Sequence, residues 1–234
     1  MKTEWLRKEG SDELLLFFNG WGMDGRIARH LLSLSLREGV DEDFNADMLV
    51  CYDYRNLEPE AGFMDDVSRY TEITVIAWSF GVWAAQQIML PPIKRALALN
   101  GTLYPVDERK GIPPGVFQAT LASYSEENRN RFNRRMCGSS EAFACFSAMA
   151  SARDTAEQKE ELERLNGHVQ SRSQPCTPEW QYSHAIIGGR DLVFPAEQQY
   201  AAWRGVSQTI IGDMAHFPFF HFSTLQELLA CFRK

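Results

Sequence analysis

No two cysteines of this chain stand in a C-x-x-C spacing, and the five it has (Cys51, Cys137, Cys145, Cys176 and Cys231) are odd in number and far apart. That pattern argues against a disulfide framework and against a structural zinc site. Cys51, inside the run MLVCYDY, reads instead as a small apolar core residue. No apolar run approaches the roughly 18 residues a membrane span needs. The charged start MKTEWLRKEGSDE lacks an apolar signal region, so a cytoplasmic protein without a membrane partner is expected. Positive charge is also in deficit. With 24 Lys and Arg against 31 Asp and Glu the net charge is −7, which argues against general nucleic-acid binding but leaves room for a local basic patch.

What is present suffices for a full core, because a chain of 234 residues fits one large α/β domain or two small ones. At this size folding buries roughly three quarters of the surface. Short apolar runs bounded by glycine or proline recur: ELLLFF, ADMLVCYDY, ITVIAW, IKRALAL, HAIIGG and VSQTII. They are hydrophobic almost throughout rather than alternating, as strands buried on both faces are. Between them lie helix-like segments: RIARHLLSLSL, then GVWAAQQIML up to Pro91-Pro92, and TLQELLACFRK at the end. The alternation predicts a mostly parallel sheet with helices on both faces, spanning residues 1–234 as a single domain. From about 115 to 175 the rhythm changes. EENRNRFNRRM, SSEAFACFSAMAS and TAEQKEELERLNGHV follow one another with no strand between, and we expect a helical insertion over the carboxyl edge of the sheet.

The sequence ITVIAWSFGVWAA places a small polar residue, Ser79, where a buried strand meets a helix. Ala77-Trp78-Ser79-Phe80-Gly81 departs from the strict G-x-S-x-G elbow only in its first glycine. The elbow holds its serine on a strained strand-to-helix turn, so its neighbours must be small. A buried serine bonding the helix start is the plainer alternative. A serine hydroxyl needs a base within hydrogen-bond reach. Of the five histidines, His216 in GDMAHFPFF lies just after the last strand, where a loop can aim it at the sheet edge. His221, further into the final segment, competes with it. The imidazole in turn needs a carboxylate. Asp191 follows a strand and a Gly-Gly turn in IIGGRDLVFP; Asp213 is the other candidate, and an aspartate capping the next helix is the bland explanation of Asp191. The order serine, aspartate, histidine is that of the α/β-hydrolase fold. Oxyanion donors would be the backbone N–H of Phe80 and that of Trp21 in NGWGM.

Taken together, FFNGWGMD, CYDYRNL, VIAWSFGVWAA, IIGGRDLVFP and MAHFPF resemble the BioG-type pimeloyl-[acyl-carrier protein] methyl ester esterases, from about residue 12 to the C-terminus and more weakly across the insertion. The resemblance implies an α/β-hydrolase acting in biotin synthesis that removes a methyl ester from a pimeloyl chain on acyl carrier protein. It implies Ser79, Asp191 and His216 as a triad, Trp21 and Phe80 as the oxyanion hole, and no metal or organic cofactor. The insertion would be a lid. The chain begins close to the strand bearing FFNGWG, so the first strands of larger hydrolases are expected to be shortened or absent. Arg129, Arg131, Arg134 and Arg135 form a basic cluster, with the last three at spacings that share a helix face. They read either as a docking patch for the acidic carrier protein and its phosphopantetheine or as a solvated face balanced by Glu126 and Glu127. Phe132, Met136, Phe143, Phe146 and Met149 read as channel lining or as core. A general carboxylesterase, a thioesterase, and a non-catalytic binding module with this fold are the competing functions.

Overall fold

The computed structural model describes residues 1–37, 44–171 and 180–233; Cys176 and residues 172–175 of the expected insertion lie outside them. Seven strands form one sheet: β1 (Lys2–Arg7), β2 (Glu13–Phe18), β3 (Asp47–Tyr52), β4 (Glu72–Trp78), β5 (Arg95–Leu99), β6 (His184–Gly188) and β7 (Ser207–Ile211). Their spatial order is β1-β3-β2-β4-β5-β6-β7. All pairings are parallel except β1 with β3, in which Lys2 faces Tyr52 and Glu4 faces Val50.

The apolar runs become the central strands for the expected reason. Leu14 to Phe18, Met48 to Cys51, Val75 to Trp78 and Ala96 to Leu99 are buried on both faces of the sheet. The helices outside the insertion are α1 (Arg26–Ser35), α2 (Phe63–Val67), α3 (Phe80–Ala85), α8 (Ala196–Ala202) and α9 (Leu225–Ala230). Between β5 and β6 the described residues form four in succession: α4 (Pro114–Ser123), α5 (Glu126–Cys137), α6 (Ser140–Ala148) and α7 (Thr155–Ser171).

Two features differ from the sequence pattern. One short N-terminal strand, β1, is not among the apolar runs, because its sequence KTEWLR is charged and half-exposed. Charge suits an edge strand because it discourages pairing with another molecule, and the same charge hides the strand from a search for apolar runs. In addition, α3 stops at Ala85 rather than running to the prolines. Its end tightens into three-residue bonds, Gln86 N–H to the Trp83 carbonyl and Gln87 N–H to the Ala84 carbonyl.

The parallel strands β2 to β7 point the same way, so the loops after β2, β4, β5, β6 and β7 emerge together at the carboxyl edge. In such sheets that edge is where ligands bind.

Candidate active site

Ser79 follows the last residue of β4 and opens α3 with φ +59° and ψ −128°. A non-glycine residue with positive φ is strained and persists only where its surroundings over-determine it. Here they do. The Ser79 N–H donates to the Leu99 carbonyl at 2.9 Å, which ties the turn to the neighbouring strand. Two residues on, a Cβ at Gly81 would stand 2.5 Å from the carbonyl oxygens of both Phe18 and Asn19, so only glycine fits where α3 passes β2. Ala77 is fully buried, in register between Phe18 and Ala98.

The Ser79 Oγ lies 2.9 Å from His216 Nε2, and His216 Nδ1 lies 2.8 Å from Asp191 Oδ2. Asp191 is held in turn by three other donors. Its Oδ1 accepts the backbone N–H groups of Val193 and Phe194, each at 2.8 Å, and its Oδ2 accepts the Gln199 side-chain amide at 3.0 Å. Both carboxylate oxygens act as acceptors toward these donors, so the ring tautomer that completes the pairing carries its proton on Nδ1. The lone pair of Nε2 is thereby left facing the serine hydroxyl, the arrangement in which an imidazole can take that proton. Phe194 lies parallel to the imidazole with ring centres 5.8 Å apart, and the Trp78 indole N–H donates to the His216 carbonyl at 2.9 Å. The competing candidates stand apart: Asp213 is exposed, and His221 is half-buried beside Phe220.

Ser79 and His216 open into a mostly apolar pocket of about 490 Å³, including its mouth, which Trp21, Phe80, Phe117, Phe132, Met136 and Leu162 also line. No group among the described residues accepts the backbone N–H of Trp21 or of Phe80. Phe143, Phe146 and Met149 do not line this pocket. Arg134 covers the Phe143 ring at 4.3 Å, Phe146 packs edge-on against Phe217, and Met149 is buried. Val116, Thr120, Phe132 and Arg135 line both this pocket and an outer groove that also takes in Asn128 and Arg131.

The four arginines divide. Arg131 and Arg134 are exposed, Arg135 is half-buried at the junction of pocket and groove, and no carboxylate among the described residues pairs with any of the three. Arg129 instead turns toward α7, donating to Thr155 Oγ1 at 3.2 Å and pairing loosely with Glu126 at 3.9 Å.

One group of residues gave no sign of itself in the sequence. Helix α7 presents Gln158, Glu161, Leu162 and Leu165 inward, at the i, i+3, i+4, i+7 spacing of a buried face, although two of the four are polar. Burial raises the Glu161 carboxyl above its ordinary range, opposed by Arg153 and by backbone N–H donors. At Asp53 burial also raises the carboxyl, but the Arg55 hydrogen bonds, Arg153 and Lys2 outweigh it and bring the pKa down to about 2. Asn100, fully buried after β5, is another unforeseen residue. Its amide donates to the carbonyls of Ala215 (2.8 Å) and His216 (3.0 Å), and its oxygen accepts the Gly188 N–H at 2.7 Å. Among the described residues there is no cluster of His, Cys, Asp and Glu that could hold a metal, and no helix long and apolar enough to cross a membrane.

Comparison with known proteins places this geometry in context. The family described as "Pimeloyl-ACP methyl esterase BioG" matches residues 1–228. A Bacteroides fragilis (strain 638R) protein named malonyl-[acyl-carrier protein] O-methyltransferase is 42% identical over 216 residues, which cover 91% of this chain and 40% of that protein. This chain therefore spans well under half of that relative's length. An uncharacterized protein of Haemophilus influenzae is 35% identical over 226 residues, covering 95% of this chain and 96% of its own length. Among solved structures, selenomethionine BioG from Haemophilus influenzae aligns with a TM-score of 0.84 at 30% identity, over 97% of this chain and 99% of that one. A lipase-esterase related protein from Clostridium acetobutylicum aligns with a TM-score of 0.62 over 99% and 98% of the two chains; at 16% identity it speaks for the α/β-hydrolase fold alone.

Proposed function

The chain belongs to the BioG family of pimeloyl-acyl carrier protein methyl esterases, and from that premise we propose that it hydrolyses the methyl ester of a pimeloyl chain carried on acyl carrier protein, a step of biotin synthesis. The observation that carries this reading is the hydrogen-bonded series Ser79–His216–Asp191 beneath an apolar pocket.

The chemistry follows from the geometry. The Ser79 Oγ attacks the ester carbonyl while His216 Nε2 takes its proton. The imidazolium that forms is stabilised by Asp191, which its four accepted hydrogen bonds hold in place. Negative charge gathers on the former carbonyl oxygen, and the backbone N–H groups of Trp21 and Phe80 receive it. Methanol leaves with the proton from His216. Water, deprotonated by the same nitrogen, then cleaves the acyl-enzyme and releases the free carboxylate. Each step uses groups of this chain alone.

Helices α4, α5 and α7 act in this reading as a lid whose inner face holds the acyl chain. Arg131, Arg134 and Arg135 pair with no carboxylate among the described residues, so an acidic carrier protein can supply partners. The outer groove leads past Arg135 to the serine and suits the phosphopantetheine arm. The name of the Bacteroides relative describes ester formation on a carrier-bound acid, the opposite of the proposed cleavage, and belongs to a protein of which this chain covers 40%.

The test is hydrolysis of pimeloyl-acyl carrier protein methyl ester followed by mass spectrometry. Wild type should release methanol and leave the thioester intact, whereas Ser79→Ala should lose about 10⁶ in rate, as when other triad nucleophiles are removed. Preference for the thioester bond would make the protein a thioesterase, and equal activity on free dimethyl pimelate would make it a general esterase. A serine that never labels with a fluorophosphonate would leave only a binding module.

A further inference from the structure

Glu161 is fully buried in the middle of α7, yet it bears a carboxyl group and lies near the pocket rather than in it. Its Oε2 accepts the Gly22 N–H at 3.0 Å and an Arg153 Nη1 donor at 2.6 Å, and its Oε1 accepts the Tyr54 N–H at 2.8 Å. Arg153 lies 3.3 Å from Asp53, which extends the buried series of charges. One turn earlier, Gln158 holds the same stretch of chain. Its amide donates to the Gly22 carbonyl at 2.8 Å, its side-chain oxygen accepts the Tyr124 hydroxyl at 2.7 Å, and its backbone carbonyl accepts the Trp21 indole N–H at 2.7 Å.

The stretch so held is a four-residue turn, Gly20 to Met23, closed by the Met23 N–H on the Gly20 carbonyl at 3.3 Å. Gly22, in third place, has φ +76°, as a type II turn requires. Glycine adopts either sign of φ with similar ease, so the turn's sequence alone does not fix its central peptide. The acceptor that fixes it is Glu161. In a trans peptide the carbonyl and N–H point in opposite directions. With the Gly20 carbonyl engaged inside the turn, the Trp21 N–H of the same peptide faces outward. Ser79 lies close by: a Cβ on Gly20 would stand 3.3 Å from the Ser79 Cβ.

We propose that Glu161, paired with Arg153, is a positioning residue that holds the Gly20–Met23 turn so that the Trp21 N–H is aimed at the oxyanion, and that α7 thereby couples the helical cover to the catalytic step. This rests on the reading of Trp21 as an oxyanion donor. A carboxylate buried only for stability is a poor choice, because the desolvation cost of a buried ion pair rivals its attraction. A group that only accepts, and can take two backbone N–H groups and a guanidinium at once, is what orienting a turn demands.

The experiment measures kcat and KM on a small p-nitrophenyl ester, normalised to the number of serines labelled at saturation by a fluorophosphonate. That count removes misfolded protein from the comparison. Losing one oxyanion donor outright costs about 10²–10³ in rate. Misaiming it in Glu161→Gln should therefore lower kcat per labelled serine about 10- to 100-fold, with KM within twofold. Arg153→Lys, which keeps a cation beside Glu161, should retain most of the activity that Arg153→Met loses. If Glu161→Gln yields no folded protein, Glu161→Asp is read by the same criteria. A kcat per labelled serine within threefold of wild type in the Glu161 variants overturns the proposal while leaving the triad intact. A wild-type Ser79 that neither labels nor turns over overturns the triad, and this inference with it.

Discussion

Removing the Asn100 side chain is expected to loosen two of the loops that hold the proposed triad while leaving its three side chains untouched. The side chain bridges the end of β6, through the Gly188 N–H, to the loop before and at His216, through the carbonyls of Ala215 and His216. In Asn100→Ala the Gly188 N–H and the Ala215 carbonyl lose these partners, whereas the His216 carbonyl keeps the Trp78 indole. Each orphaned buried group costs about 1–3 kcal/mol. The backbone adds a further term, because Asn100 has φ +43°, where alanine costs roughly 1–2 kcal/mol and glycine does not. The total is about 3–8 kcal/mol for Asn100→Ala, and Asn100→Gly should recover only the backbone part. Urea unfolding of the three proteins measures both differences. For a chain of this size a loss of 3 kcal/mol lowers Tm by roughly 6–12 °C. Below the transition kcat should fall about tenfold with KM unchanged, because His216 is less well held. A cost under about 1 kcal/mol with unchanged kcat would refute the view that this amide organises the carboxyl edge.

Asp191→Asn presents an amide N–H to His216 Nδ1, moves the ring proton to Nε2 and should cost about 10⁴ in kcat with little change in KM; a loss under tenfold would show that the ring is oriented by other groups. Asp53, held at about 2 in the folded protein and at its ordinary 3.8 in the unfolded chain, supplies stability above pH 3.8 that is lost as pH falls toward 2. The amount is on the order of 2 kcal/mol, and acid titration of unfolding free energy in wild type and Asp53→Asn should differ by that slope in that window. Charge reversal at Arg131 and Arg134 together should lower kcat/KM on a carrier-bound ester at least tenfold more than on a p-nitrophenyl ester. That gap should close as salt is raised past the point where the screening length drops below about 8 Å; equal losses on both substrates would argue against a docking surface.

The parallel strands were legible because burial on both faces leaves an uninterrupted apolar run, and the chain order of Ser79, Asp191 and His216 could be read against their strand ends. What escaped did so for identifiable reasons. β1 is an edge strand whose charge masks it. Gln158 and Glu161 occupy inward positions of α7 that a search for periodic apolar residues assigns to solvent. Asn100 acts through backbone partners distant in sequence, and Gln199 reaches Asp191 across a loop and the first turn of α8, at a spacing that no helical or strand period marks. Phe143, read as channel lining or as core, carries Arg134 across its face, and Arg129 reaches Thr155 and Glu126, contacts that residue type and spacing alone do not display.

The whole wall opposite Ser79 enters the fold at a single gap, between β5 and β6, which would make it an easy module to transplant from one hydrolase to another. Yet the last helix of that module grips the Gly20–Met23 turn through Gln158 and Glu161. A graft chosen only for its pocket would arrive without that grip, so under the proposed role of Trp21 the choice of substrate and the handling of developing charge would be inherited as one piece.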